Sequence, residues 1–307
     1  MNVLVSGIAS DIGFNCGRIL KELDGVEALH GIDIHPNHPG SFVFDACAVA
    51  PRADQADYED WIAEYITNNK IDFFLPTSEA EISRVASSEI LRSSNVRIVI
   101  ANRQVIENSL DKYRCLNFLD GLNVSVPQHG IVGDTMPPIW PVVVKPRSGQ
   151  GSKDIAVVSS FSDLHSQAAG CVWQEQLLPA DQEYTCPIYR SHTAGTRILV
   201  LRRTLQGGLT VRGEVVDNRE IVDYVEAIAD ALDLNGAMNV QLRLTRDGPL
   251  LFEINPRLSS TVMFRHKMGF SDLKWWLTDL AGMSASDYIP VTPGTRFFRG
   301  SAEYICG

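Results

Sequence analysis

The chain has 307 residues, 45% of them hydrophobic and 21% charged, with a formal net charge of −10 at pH 7. That length supports two or three domains with real cores, and the composition is that of an ordinary globular protein. The acidic balance excludes a nucleic-acid partner as an expectation, because a duplex binder needs a basic face. No apolar run reaches about 18 residues, so no membrane-spanning helix is expected. The chain opens on a strand rather than on the basic and apolar regions of a signal peptide. Its six cysteines are scattered without a C-x-x-C pair, so reduced thiols and a cytoplasmic location are expected. Seven histidines form no H-E-x-x-H, and no zinc site is expected.

Residues 1–108 alternate strand and helix. Val3-Leu4-Val5 is a short apolar strand, followed by a glycine-containing turn from Ser6 to Gly13 and a helical pattern to Leu23. A second strand is predicted over 28–33 and a helix over 58–68, with Trp61, Ile62, Tyr65 and Ile66 on one face. Stretches 71–75 and 96–100 are continuous apolar strands of the buried, parallel kind. Repeated βα units imply a doubly wound sheet. The first turn keeps Gly7 and Gly13 of a dinucleotide-binding loop, but Ala9 or Ser10 replaces the central glycine. Two readings stay open there. One is a nicotinamide site with Asp33 on a ribose hydroxyl, an oxidoreductase reading that rests on this loop alone. The other is a plain turn capped by Ser10 or Asp11.

A single helix is predicted over 102–117, then a Gly- and Pro-rich linker over 120–140. Pro141-Val142-Val143-Val144-Lys145 is a strand ending in a lysine, and Pro146 to Lys153 is a small-residue loop. Gly149 and Gly151 would let backbone N–H groups close on a phosphate. A lysine at the end of a buried strand is costly without an anion beside it. There is no G-K-[ST] opening a helix, so this is not a Walker A loop. Strand-like residues resume at 155–158, so the loop reads as a lid between two strands. The alternative is an exposed hairpin loop with a solvated lysine. Val172 to Leu178 is a strand ending in polar residues and leucines, able to offer backbone groups to an adenine edge, and Glu183 can bind ribose hydroxyls.

Strands over 196–203 and 208–216 precede a helix over 219–233, in which Ile221, Val225, Ile228 and Leu232 recur at core spacing. A ribbon over 238–255 and a helix over 272–281 complete the pattern. In the ribbon, Thr245-Arg246-Asp247-Gly248 reads as a hairpin turn. A hairpin centred on Asp247 sets Gln241 opposite Glu253 and Asn239 opposite Asn255. Met238, Val240, Leu242 and Leu244 then share the apolar face with Leu250, Phe252 and Ile254. The other face carries Gln241, Glu253 and Asn255, with Arg257 two residues on. Oxygen-bearing side chains beside a cation suit a magnesium–polyphosphate site; the alternative is a half-buried hairpin with a merely wet polar face.

Taken in order, these elements resemble the ATP-grasp superfamily. They are Asp111-Lys112-Tyr113-Arg114, Lys145 with the loop 147–153, the segment 173–178 with Glu183, and Gln241 with Glu253-Ile254-Asn255-Pro256-Arg257. The similarity is to the carbamoyl-phosphate synthase large-subunit type, through Val240-Gln241, Glu253 to Arg257 and Ser259-Ser260. The resemblance implies an α/β and α+β architecture: an N-terminal doubly wound parallel-sheet pre-ATP-grasp domain (1–108), followed by a two-subdomain ATP-grasp fold. Its linker helix and lid would span 109–190, and the subdomain with the metal site 191–307.

The resemblance also implies roles. Lys112 and Lys145 would bind phosphates, under a loop that includes Gly149, Gly151 and Ser152. Gln174, Glu175 and Leu177 would form the adenine hinge, largely through backbone, and Glu183 would hold the ribose. Gln241, Glu253 and Asn255 would hold Mg2+ or Mn2+, and Arg257 would be the cation near the γ-phosphate. Gln241 departs from the Asp or Glu that many members have there. Glu253 would then bridge two ions while Gln241 coordinates through its amide oxygen. The chain lacks the duplicated second half of a carbamoyl-phosphate synthase, so carbamoyl phosphate synthesis is not expected. The implied activity is an ADP-forming, carboxylate–amine ligase that makes C–N bonds. It would use ATP to activate a small carboxylate as an acyl phosphate for an amine or another nucleophile. A kinase and a non-catalytic nucleotide-binding module are the alternatives. Homodimers are common in the superfamily. Arg265, His266, Arg296 and Arg299 are candidate contacts for the acceptor substrate.

Overall fold

Five short strands near the N-terminus form a sheet whose central members, Asn2–Ser6 and Phe73–Leu75, are apolar on both faces, as a sheet covered on both sides requires. They are β1 (Asn2–Ser6), β2 (Ala28–Asp33), β3 (Ala46–Val49), β4 (Phe73–Leu75) and β5 (Arg97–Ile98). In the computed structural model, which describes residues 1–149 and 154–305, they pair in parallel in the order β3-β2-β1-β4-β5. Val3 and Val5 pack on one side with Ile19 and Leu20, while Leu4 and Phe74 pack on the other with Tyr58, Ile62 and Ile66. The doubly wound sheet expected from the βα repeats is therefore present.

Two antiparallel sheets follow. The smaller joins β6 (His129–Ile131), β7 (Val142–Lys145), β8 (Ala156–Val158) and β9 (Val172–Glu175) in the order β6-β9-β7-β8. Its own core is Val142, Val144, Val158, Leu164 and Trp173. The larger, seven-stranded sheet contains β10 (Glu183–Ser191), β11 (Gly195–Ile198), β12 (Leu201–Gln206), β13 (Leu209–Val215), β14 (Gly236–Thr245), β15 (Gly248–Asn255) and β16 (Arg296–Phe298). The helix Arg219–Ala231 lays Ile221, Val225 and Ile228 against Met238, Val240 and Leu242, as its spacing predicts. Among the described residues, no helix is long and apolar enough to cross a membrane.

Several predicted elements are broken by local chemistry. The single helix over 102–117 is two, Arg103–Ser109 and Lys112–Asp120. The Asp111 side chain accepts the N–H groups of Tyr113 and Arg114, so it starts a new helix instead of continuing the old one. The strand over 196–203 is also two, β11 and β12. Leu199, between them, donates its N–H to the carbonyl of Pro187, which has no N–H to return the bond. The strand over 96–100 contracts to Arg97–Ile98, and β3 was not read from the sequence because Ala46-Cys47-Ala48-Val49 is a half-exposed edge.

Each of the four candidate acceptor contacts has a charged or polar neighbour within the protein. Arg265 is fully buried, and its guanidinium grips both oxygens of buried Asp272 at 2.7–3.0 Å and the hydroxyls of Ser259 and Thr261 at 3.0 Å. Arg299 pairs with Asp11 and donates to the carbonyls of Thr210 and Ser260, tying the C-terminal strand to the first helix. His266 bonds Glu22 and Ser271, and Arg296 is an exposed edge residue 3.8 Å from Glu214. A lone charge left in the core is strongly destabilising. Asp272→Ala is therefore expected to lower the unfolding free energy by roughly 3–5 kcal/mol, read from the urea midpoint at constant m-value.

Candidate active site

A cavity of about 610 Å³ opens between the two antiparallel sheets, with walls from β7 and β9 on one side and β10, β12, β14 and β15 on the other. Lys145 closes β7 and is only 5% exposed. Its Nζ donates to Gln174 Oε1 and to the carbonyl of Phe252, each at 2.7 Å. Burial pushes the ammonium down to about 8, against the attraction of Glu253, and nearby Lys112 adds to the depression. The charge is thus held by two neutral oxygens inside a cavity, an arrangement that favours an incoming anion.

The Phe252 carbonyl is available because of a register shift. Gln241 lies opposite Glu253 and Asn239 opposite Asn255, as predicted, but Leu242 pairs with Leu251. Phe252 is the extra residue of a β-bulge, left out of the ladder. The bulge also corrects the apolar face: Leu251 and Ile254 are in the core, whereas Leu250 and Phe252 are half-buried and Phe252 lines the cavity.

The polar face of the ribbon is a chain of hydrogen bonds. Arg203 Nη2 donates to Gln241 Oε1 at 2.6 Å, Gln241 Nε2 to Asn255 Oδ1 at 2.8 Å, and Asn255 Nδ2 to Glu253 Oε1 at 3.2 Å. Glu183 is gripped from two sides. Arg203 reaches Oε1 through Nε and Nη2 at 3.1 and 3.0 Å, and Arg243 reaches Oε2 at 3.0 Å. The other arm of Arg243 bonds the Leu177 carbonyl at 2.8 Å, joining the two walls. Both oxygens expected to face a ribose therefore already accept from arginines. Burial lowers the Arg203 guanidinium from its ordinary value, and Glu183 opposes that shift. The sequence reading missed both arginines. Arg243 was findable, two residues beyond Gln241 and so on the same strand face.

Other expected residues divide. Lys112 lines the cavity and donates to the carbonyl of Gly149 at 2.7 Å, where Gly149 takes φ +105°. Gly151 and Ser152 lie outside the described residues. Gln174 lies in β9 between β6 and β7, and its side chain holds Lys145, beyond the backbone role expected of it. Glu175 donates its N–H to Gln128 O at 2.8 Å and accepts the Gln128 N–H at 3.1 Å; Leu177 is buried on the cavity wall. Arg257 is not among the lining residues of the cavity. It lies 3.5 Å from Glu79 of the N-terminal part, whose carboxyl burial raises and Arg257 holds down.

The turn at 7–13 is a capped turn. Ser10 accepts the Gly13 N–H at 3.2 Å, and both oxygens of Asp33 accept backbone N–H groups, from Ala9 at 2.8 Å and His35 at 3.0 Å. A separate crevice of about 400 Å³ lies beside it.

Glu253, Asn255 and Gln241 supply one carboxylate and two amide oxygens, hard donors of the kind magnesium and manganese take. Among the described residues, no group of three or more His, Cys, Asp or Glu could hold a metal. A divalent ion here would depend on Glu253 for its charge and on amides for the rest.

A family profile described as ATP-grasp in the biosynthetic pathway with Ter operon matches residues 175–299. A carbamoyl-phosphate synthase of Methanobrevibacter smithii is 24% identical over 194 residues, 56% of this chain and 52% of that protein. The match thus spans about half the length of that relative. Among solved structures, a biotin carboxylase–β-γ-ATP complex from Campylobacter jejuni superposes with a TM-score of 0.75 at 14% identity, over 96% of this chain and 74% of that one. An N5-carboxyaminoimidazole synthetase of Staphylococcus aureus complexed with ADP gives 0.73 at 14% identity, over 97% and 79%. An L-amino acid ligase from Bacillus licheniformis gives 0.70 at 16% identity, over 95% and 77%.

Proposed function

Because the chain carries the ATP-grasp fold, we propose that it is an ADP-forming ligase that joins a small carboxylic acid to an amine, with ATP bound in the cavity between the two antiparallel sheets. The observation that carries this reading is the convergence on one cavity of buried Lys145 and the facing pair Gln241 and Glu253. A buried ammonium facing a carboxylate across an open cavity favours an anionic ligand with its counter-ion.

In this reading the adenine edge lies along Glu175 to Leu177, at the end of β9 where the chain lines the cavity. Lys112 and Lys145 take the phosphates beneath the Gly149 loop. Glu253 and Asn255, with Gln241 behind them, would hold the divalent ion. That ion offsets charge on the phosphate oxygens when bound.

A carboxylate is too poor an acceptor to be attacked directly near neutral pH. One of its oxygens instead bonds to the γ-phosphorus as the bond to the β-bridging oxygen breaks, leaving acyl phosphate and ADP. The amine nitrogen then bonds to the acyl carbon, inorganic phosphate departs with its C–O bond, and the nitrogen loses a proton to phosphate or solvent. The protein positions the reactants, neutralises charge and keeps water from the acyl phosphate.

The test is ADP release, by a coupled assay, over a matrix of small carboxylic acids and amines with ATP and Mg2+. ADP and phosphate should appear in equal amounts only when acid and amine are both present, with an amide product. A phosphorylated alcohol with no amide would replace the ligase with a kinase.

A further inference from the structure

The resemblance implies two bridged divalent ions, and the arrangement around Gln241 argues against the second. The oxygen meant for it already accepts from the Arg203 guanidinium at 2.6 Å. That side chain is 6% exposed, and an arginine keeps its charge at any working pH. Gln241 Nε2 donates to Asn255 Oδ1, which turns the Gln241 oxygen toward the arginine; Asn255 Oδ1 thus meets only a neutral amide and keeps a lone pair for an ion, whereas Gln241 Oε1 meets a cation. The remaining carboxylate on this wall, Glu183, is shared between Arg203 and Arg243. A second ion on Gln241 would therefore lie against a fixed cation and have no carboxylate of its own beyond a share of Glu253.

We infer that the Arg203 guanidinium stands in for the second divalent ion, so that this centre holds a single metal per nucleotide, on Glu253 and Asn255. The inference rests on the ligase reading above. It makes Arg203 a positioning residue: it fixes the Gln241 amide and supplies, permanently, the charge that another ion would bring.

The test counts bound Mn2+ at saturating non-hydrolysable ATP analogue, by calorimetry and by the electron paramagnetic resonance of the bound ion. The wild-type chain should bind one Mn2+ per nucleotide, with a spectrum free of spin–spin broadening. Arg203→Lys, which keeps the charge, should also bind one. Arg203→Met should bind two, with the broadening expected of ions about 4 Å apart. Two ions in the wild type, or one in Arg203→Met, would overturn the inference. Should Arg203→Met fail to fold by circular dichroism, Arg203→Gln, which keeps a hydrogen-bond donor and removes the charge, is counted in its place, with two ions expected and one overturning the inference. Failure of the wild-type chain to bind the nucleotide at all is a different result, and would refute the ligase reading itself.

Discussion

Glu253→Ala is expected to abolish ATP turnover while leaving the fold intact. Glu253 is the single carboxylate on the polar face of the β14–β15 ribbon, so no neighbour replaces its charge toward a metal. A bound ion contributes several kcal/mol to phosphoryl transfer, which corresponds to a loss of about 10³-fold or more. The fold should survive because the side chain is half-buried and accepts from Asn255 at 3.2 Å. Glu253→Gln separates charge from shape and should be nearly as inactive. ADP release with the true substrate pair, alongside an unchanged circular dichroism spectrum, checks this. Turnover within tenfold of wild type would remove Glu253 from the metal site.

Lys145→Ala should lower kcat/KM for ATP by about 10²–10³-fold, the range for removing one preorganised donor from a developing or bound charge. The same residue gives the activity a pH signature. Burial pushes Lys145 down to about 8, so the free enzyme loses this charge as pH rises through that value. kcat/KM, which reports the free enzyme, should fall there. Stability moves the other way. Between about 8 and the ordinary lysine value of 10.5, the unfolded chain holds a proton that the folded one has released, so stability rises with pH across that window. Below about 8 both states are protonated, and the cost of the buried charge is fully present. In Lys145→Ala both slopes should flatten; a kcat/KM profile unchanged through pH 8 would exclude the lysine.

The sequence was most legible where a side chain's partner is a few residues away or set by a turn. The pairing of Gln241 with Glu253 followed from hairpin geometry. It held because two displacements cancel: the turn lies half a residue nearer the N-terminus than expected, and the bulge at Phe252 restores the register beyond it. The bulge has no composition signal, so the inversion of Leu250 and Leu251 was not readable. Nor were the grip of Arg203 and Arg243 on Glu183 and the pairing of Arg257 with Glu79, which join residues far apart in the chain. Arginines look alike in a sequence whether they bind substrate or brace the fold. Arg265 and Arg299 illustrate this, one sealed against Asp272 and the other tied to Asp11. Asp111 belongs to the Asp111-Lys112-Tyr113-Arg114 motif by sequence, and in the fold it caps the helix that carries Lys112.

The central claim is that the gap between the two antiparallel sheets is the nucleotide site. A crystal structure with Mg2+ and a non-hydrolysable ATP analogue tests it most directly. The expected density has the base along Glu175 to Leu177, phosphate oxygens on Lys112 and Lys145, and an ion on Glu253 and Asn255. Nucleotide in the crevice beside Asp33, or in the gap but with Glu253 and Asn255 bare of metal, would contradict the account.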